Sequence, residues 1–261
     1  MAARIVLITG AGQGVGQGIA LAFAAEGDTV VLAGRTRTKL DATKDLIETR
    51  GKGKAVALEC DVKSAESLDA LASHVRETLG GIDILVNNAQ EVPKGDLLTL
   101  TDDAFIAGFE SGPLATLRLM RLAQPLMVER GGGVIINLVS SVIERWDMTG
   151  YGGYAATKAA IQSLTRGAAA EWGKDNIRVL NIAPHAESPG LKWWAEKNPE
   201  EAAAFFRTIP LGRIGKCEQD IGAAVVALCA PAMSYLTGAT VPLDGGQANF
   251  EKRFGIKVKP L

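Results

Sequence analysis

Tyr154 and Lys158 stand four residues apart in the run Tyr154-Ala-Ala-Thr-Lys158, and on a helix that spacing sets a phenol and an ammonium on one face. A fixed cation favours phenolate. A tyrosine that ordinarily titrates near ~10 is therefore expected to fall toward neutrality, where it can exchange a proton with a substrate. Each unit of lowering is worth ~1.4 kcal/mol. Ser141 lies thirteen residues before Tyr154, just after the apolar run Val134-Ile-Ile-Asn-Leu-Val139, and is expected to present a hydroxyl to the same point from a strand end. A tyrosine and a lysine on the wet face of an amphipathic helix would show the same spacing, so the pair alone does not decide.

The other end of the chain weighs toward chemistry. Arg4-Ile-Val-Leu-Ile-Thr9 reads as a buried strand that runs into Gly10-Ala-Gly-Gln-Gly-Val-Gly16 and then into a helical pattern over residues 17–26. Strand, glycine loop and helix make a cradle for a pyrophosphate, because glycines allow close backbone approach and the first helical amides point at the anion. The candidate cradle residues are Gly10, Gly12, Gln13, Gly14, Val15 and Gly16. Gly10, Gly12 and Val15 match only part of the G-x-G-x-x-G spacing of larger dinucleotide-binding proteins, and an ordinary strand-to-helix turn is the plainer alternative.

The elements that must position these groups follow from the apolar pattern. Strand-like runs at residues 29–34, 55–59, 82–87, 134–139, 177–183 and 239–243 alternate with helical patterns at 38–49, 65–79, 114–129, 154–172 and 218–229. That alternation predicts an α/β fold, a doubly wound parallel sheet flanked by helices on both faces. Ligands in such sheets sit beyond the carboxyl ends of the strands, where Thr9, Gly34, Asp61, Asn87, Ser141 and Pro184 all fall.

Residues 29–40 contain no Asp or Glu to hold the ribose hydroxyls of NAD, but do contain Arg35, Arg37 and Lys39. Arg35, directly after Gly34, is best placed to bind a 2′-phosphate or to stack on adenine. NADP(H) is therefore the expected cofactor, with NAD(H) as the alternative. Solvated loop charges at a helix start would read the same way.

Composition bounds the rest. With 261 residues, 47% hydrophobic and 22% charged, the chain can bury one sizeable core, and residues 1–261 are expected to form a single domain. A net charge of -1 argues against a nucleic-acid partner. No apolar run reaches the ~18 residues of a membrane span, and a cytoplasmic protein without a signal peptide is expected. Cys60, Cys217 and Cys229 lack metal-like spacing and only His74 and His185 are present, so no metal site is expected.

Together, Thr9-Gly10-Ala-Gly-Gln-Gly14-Val-Gly16, Cys60-Asp61-Val62, Asn87-Asn88-Ala89, Ser141, Tyr154-x3-Lys158, Pro210-Leu-Gly-Arg-Ile-Gly215 and Tyr235-Leu-Thr-Gly238 with Asp244-Gly-Gly246 resemble the short-chain dehydrogenase/reductase family almost end to end. The resemblance implies a Rossmann-like domain in which Tyr154 is the acid/base, Lys158 lowers its pKa and binds the nicotinamide ribose, and Ser141 holds the substrate oxygen. It further implies that Asp61 and Val62 flank adenine, that Asn88 and Ala89 line the cofactor near its ribose, and that Pro184 bounds the cleft. Asp61 as a strand-end cap and the Asn pair as backbone partners are the plainer readings. Family members are commonly tetramers, so a homo-oligomer, tetramer or dimer, is implied, with a small-molecule ketone or alcohol as the other partner.

Three departures from the family pattern stand out. Gly112 falls where an Asn helps hold a proton-relay water, leaving free backbone groups or Ser111 as partial substitutes, and Gly112-Pro113 is expected to open or restart a helix. Gln90 replaces the glycine of Asn-Asn-Ala-Gly, and His185 replaces the glycine after Pro184. Tyr151, seven residues before Lys158, has the spacing used by related enoyl reductases, though Gly150, Gly152 and Gly153 weaken a helix there; Tyr151 is expected to shape the pocket wall. Residues 187–209 carry Trp193, Trp194, Phe205 and Phe206 and are expected to close over the substrate, with Trp146 and Met148 as a further wall. The expected reaction is hydride transfer between NADP(H) and a largely uncharged ketone or secondary alcohol. The alternatives are an enoyl reductase using Tyr151 and a weakly active or non-catalytic dinucleotide-binding protein. The tail at 248–261 has no assigned role.

Overall fold

The computed structural model describes residues 3–144 and 149–247. Strands β1 (Ile5–Thr9), β2 (Thr29–Gly34), β3 (Lys54–Glu59), β4 (Ile84–Asn87), β5 (Gly133–Leu138), β6 (Ile177–Pro184) and β7 (Thr240–Leu243) form one parallel sheet in the order β3-β2-β1-β4-β5-β6-β7. Every expected strand is present, with ends within two residues. Their near-continuous apolar character has a physical cause, since helices cover both faces of the sheet. Alternate residues of each strand feed opposite layers: Val6, Ile8 and Leu32 pack in one core, and Ile5, Leu7 and Val31 in the other. The chain runs outward from β1 to β3 and then returns to β4 beside β1, so a crevice opens at the carboxyl ends of β1 and β4.

Helices α1 (Gly14–Ala25), α2 (Arg37–Arg50) and α3 (Ala65–Leu79) follow the first three strands as expected. The helix expected from residue 114 starts earlier. α4 (Asp102–Phe109) is capped by Thr101, whose hydroxyl accepts from the Ala104 N–H, and carries Asp102 and Asp103 in its first turn. It continues through a wider π turn, Glu110–Leu114, into α5 (Ala115–Glu129). Pro113 lies inside that π turn, where the changed hydrogen-bond register accommodates its missing N–H, so Gly112-Pro113 bulges the helix and does not break it. α6 (Gly152–Trp172) begins two residues before Tyr154. The segment at 187–209 holds two short helices, α7 (Pro189–Lys197) and α8 (Pro199–Phe206), each with proline in its first turn. The helix expected at 218–229 is a π turn, Cys217–Gly222, leading into α9 (Ala223–Leu228).

A buried polar chain crosses the site end of the sheet. Asn87, Asn137, Asn181 and Thr240 are register partners on β4 to β7. Asn87 Nδ2 donates to Asn137 Oδ1 at 2.8 Å, Asn137 Nδ2 to Thr165 Oγ1 at 2.8 Å, Thr165 Oγ1 to Asn181 Oδ1 at 2.6 Å, and Asn181 Nδ2 to Thr240 Oγ1 at 3.2 Å. Through Thr165 the chain fastens α6 to the sheet. Among the described residues, no helix is long and apolar enough to cross a membrane. Trp146, Met148 and the tail at 248–261 lie outside the described residues.

Candidate active site

The glycine loop is built for close approach. Gly10 and Gly14 adopt φ of 67° and 58°, a left-handed conformation that side chains disfavour. A Cβ on Gly10 would lie 2.6 Å from Asn88 Nδ2, and one on Gly16 would strike the Gly10 carbonyl. Asn88 locks the loop from below, donating through Nδ2 to the carbonyls of Thr9 (2.8 Å) and Gly10 (3.2 Å). Thr9 Oγ1 in turn accepts from the N–H groups of Asn88 (3.0 Å) and Ala89 (3.1 Å). The Asn88 side chain therefore shapes the loop through its backbone, as the plainer reading held, while Asn88 and Ala89 also line the cleft.

Gln13 at the N-cap of α1 makes no side-chain bond to the helix, and the first turn carries no acid. The opening amides of α1 are thus left for an anion. Gly12, Gln13, Gly14 and Val15 line the cleft, whereas Gly16 packs beneath the loop. These residues fit a dinucleotide pyrophosphate, since the loop presents backbone to the cleft and a side chain at Gly10 or Gly16 would push against Asn88 and the Gly10 carbonyl and distort it.

At the rim of the same cleft, Arg35 and Lys63 both reach Glu91 Oε1, each at 3.1 Å, and Lys39 Nζ donates to Gln13 Oε1 at 2.7 Å. Glu91 and Lys63 carried no motif that would have marked them. Their role emerges only when the loops after β3 and β4 meet. Asp61 and Val62 line this end; Asp61 Oδ1 accepts from the Lys63 N–H at 3.0 Å, so Asp61 does serve as a strand-end cap.

Tyr154 faces Ser140. The Ser140 side chain stands near enough to the Tyr154 phenol to favour its phenolate, and its Oγ accepts from the Val142 N–H at 3.3 Å. Ser141, the serine expected from the thirteen-residue spacing, lines the cleft but opens the short 3-10 turn Ser141–Ile143 that Ser140 caps. Both serines therefore line the cleft that holds Tyr154.

Lys158 is buried on the same face of α6, with Nζ 5.5 Å from the centroid of the Tyr154 ring and donating to the Leu138 carbonyl at 2.6 Å. The electrostatics differ from the expectation. Burial pushes the Tyr154 phenol up to about 12, opposed by the neighbouring Ser140 hydroxyl, and pushes the Lys158 ammonium down to about 7. Desolvation of each charged form dominates both shifts. The phenol is therefore neutral at neutral pH, and the Lys158 ammonium gives up its proton more readily than an exposed lysine.

Tyr151 caps α6 and is half-exposed, with Lys94 Nζ 5.9 Å from its ring centroid; both line the cleft. Pro184 ends β6 at the same cleft, and beyond it the His185 ring lies 5.0 Å from that of Phe205, which stands 5.8 Å from Trp194. Trp193 is exposed and is not among the residues lining the cleft. Ser111 is committed elsewhere, donating to the Ala107 carbonyl (2.7 Å) and accepting from the Glu91 N–H (3.0 Å).

The arrangement combines a dinucleotide cradle with a hydroxyl pair and a buried amine, as a hydride-transfer site on an alcohol or carbonyl requires. A family model described as enoyl-(acyl carrier protein) reductase matches residues 10–248. The chain is 39% identical over 250 residues to 12alpha-hydroxysteroid dehydrogenase of a Clostridium species, covering 93% of this chain and 96% of that one. It is 36% identical over 245 residues to 7alpha-hydroxysteroid dehydrogenase of Escherichia coli, covering 93% of each. Among solved structures, a 7 alpha-hydroxysteroid dehydrogenase complexed with NADH and 7-oxo glycochenodeoxycholic acid superposes with a TM-score of 0.87 at 35% identity, over 93% of each chain. L-sorbose reductase from Gluconobacter frateurii, complexed with NADPH and L-sorbose, gives 0.85 at 30% identity, over 94% of this chain and 96% of that one. The chain belongs to the short-chain dehydrogenase/reductase family of NAD(P)-dependent oxidoreductases.

Proposed function

We propose that this chain interconverts a largely uncharged ketone and its secondary alcohol, with NADP(H) as the hydride partner and Tyr154 as the acid/base. The observation that carries this reading is the convergence, in one cleft of about 970 Å³, of the glycine cradle, the phenol of Tyr154 with Ser140 and Ser141, and the buried amine of Lys158. Bound nicotinamide supplies the hydride. In the reducing direction Tyr154 gives its phenolic proton to the carbonyl oxygen as negative charge develops there, and Ser140, beside the phenol, donates a hydrogen bond to the same oxygen in the role expected of Ser141. Lys158, on the same face of α6, stabilises the phenolate through the ammonium form it already carries.

Gly10 to Gly16 hold the pyrophosphate, Val62 flanks adenine, and Asn88, Ala89 and Pro184 border the ribose and nicotinamide. Arg35 receives the 2′-phosphate, for which it must leave Glu91. The helices at 187–209 act as the lid of a single domain, and the wall formed by His185, Trp194 and Phe205 favours a ring-bearing substrate. The names of the hydroxysteroid relatives support that class. An apolar groove on α5 and α6, lined by Leu117, Leu164, Gly167 and Trp172, supports assembly as a homo-oligomer.

The test is a fluorescence titration with NADPH and NADH, followed by turnover assays on 7-oxo and 12-oxo steroids and on a ketose. Tyr154→Phe is expected to abolish turnover while sparing cofactor affinity; a fully active variant overturns the acid/base assignment. Arg35→Asp is expected to shift preference toward NADH, and an unchanged ratio overturns the phosphate-binding role. The description of the matched family model supports a second reading, enoyl reduction through Tyr151. In that case Tyr151→Phe, not Tyr154→Phe, removes activity, and it does so on an enoyl thioester.

A further inference from the structure

We propose that Gln90 is a positioning residue for the turn of α6 that carries Tyr154 and Lys158, acting through Thr157, and that Gly112 lacks a side chain because Gln90 occupies its space. The inference rests on the proposed function, since it concerns the same turn. Gln90 Nε2 donates to Thr157 Oγ1 at 2.7 Å, and Thr157 Oγ1 donates to the Tyr154 carbonyl at 2.8 Å. Thr157 is wholly buried and directly precedes Lys158. A hydroxyl has one proton, and here the Tyr154 carbonyl receives it, so Thr157 can only accept from Gln90. That requirement fixes which end of the Gln90 amide faces the helix.

Gly112 closes the other side. A Cβ there would lie 2.7 Å from Gln90 Nε2 and 2.9 Å from its Cδ, so any larger residue in the π turn would displace the amide. The two departures from the family pattern therefore meet in space and depend on each other. Packing alone does not account for an amide at this point. Gln90 Oε1 is buried without a hydrogen-bond partner, a cost that an apolar side chain of the same length would avoid. Gln90 also lines the cleft that holds Tyr154 and Lys158. Its amide thus joins the loop after β4, the bulge before α5 and the first turns of α6, and sets where the phenol meets Ser140.

Three single variants test this on whichever ketone of the panel above is turned over. Gln90→Met removes the amide at similar length, Thr157→Val removes its acceptor, and Gly112→Ala pushes the amide aside. Each is expected to lower kcat about tenfold, as a small misplacement of a proton donor does, with KM for the ketone within about twofold of wild type and a displaced basic limb in the kcat pH profile. The double variant Gln90→Met with Thr157→Val is expected to lose no more than either alone. Wild-type kcat and pH profile in all three variants, a loss confined to thermal stability, or multiplying losses in the double variant would overturn the inference. Tyr154→Phe separates the two failures: if it abolishes turnover while Gln90→Met is neutral, only this inference falls. If it retains turnover, or if the wild type reduces no ketone, the functional reading falls and takes this one with it.

Discussion

The side chain of Ser140 lies beside the phenol of Tyr154, and the neighbouring Ser141 begins the short turn that Ser140 caps. That proximity favours phenolate and opposes the burial that pushes the phenol up. Ser140→Ala is expected to lower kcat by about 10²-fold, the scale of one lost donor to a developing oxyanion. Ser141→Ala is expected to keep kcat within about threefold of wild type. Steady-state kinetics on the two variants decide the matter, and the reverse ranking would return the role to Ser141.

Lys158 makes stability depend on pH in a definite direction. Its ammonium is pushed down to about 7 in the folded chain from an ordinary value of 10.5, so between those values the unfolded chain binds the extra proton and stability rises with pH. The penalty is fully present below pH 7 and relieved by about pH 10.5. It amounts to a few kcal/mol. Tyr154, raised to about 12 from 10.0, adds the opposite trend above pH 10, where the unfolded phenol ionises first. Urea unfolding of wild type and Lys158→Met across pH 7 to 10 is expected to show the rise in wild type alone. Parallel curves would mean that Lys158 is better solvated than its burial implies.

Glu91 competes with any anion for Arg35, since the two are paired at 3.1 Å. Glu91→Gln removes the competitor and is expected to tighten NADPH binding a few-fold, in line with the ~0.2–1 kcal/mol of an exposed ion pair, with little change for NADH. Fluorescence titration at low and moderate salt reads this directly. Equal changes for both cofactors would place the 2′-phosphate away from Arg35.

Gly16 is needed for space, since a Cβ would strike the Gly10 carbonyl and Asn88. Gly16→Ala is expected to weaken NADPH binding by at least about tenfold through distortion of the loop. Calorimetric titration of the folded variant checks it. Unchanged affinity would show that the cradle is not formed by this loop.

Thr165 links the sheet to α6 by accepting from Asn137 and donating to Asn181, both wholly buried. Thr165→Val keeps the shape but strands polar groups on both sides, so a loss of about 2 kcal/mol in unfolding free energy is expected. Denaturant titration measures it, and a neutral result would mean that the two asparagines pair without Thr165.

The parallel sheet, the phosphate cradle and the Tyr154–Lys158 pair were decided by local pattern. Buried strands such as Ile5–Thr9 are apolar throughout, Gly10 and Gly14 need left-handed backbone, and a four-residue helical spacing is geometry that any helix enforces. The protonation of that pair was not local, because desolvation depends on everything packed around Lys158 and Tyr154, and no pairwise spacing reports it. Ser140 beside Tyr154, Glu91 between Arg35 and Lys63, and Gln90 filling the space beside Gly112 share one cause. Each joins residues from different loops, whose approach is set by the length of a turn or the bulge at Glu110–Leu114, and such distances exist only once the strands have taken their order in the sheet.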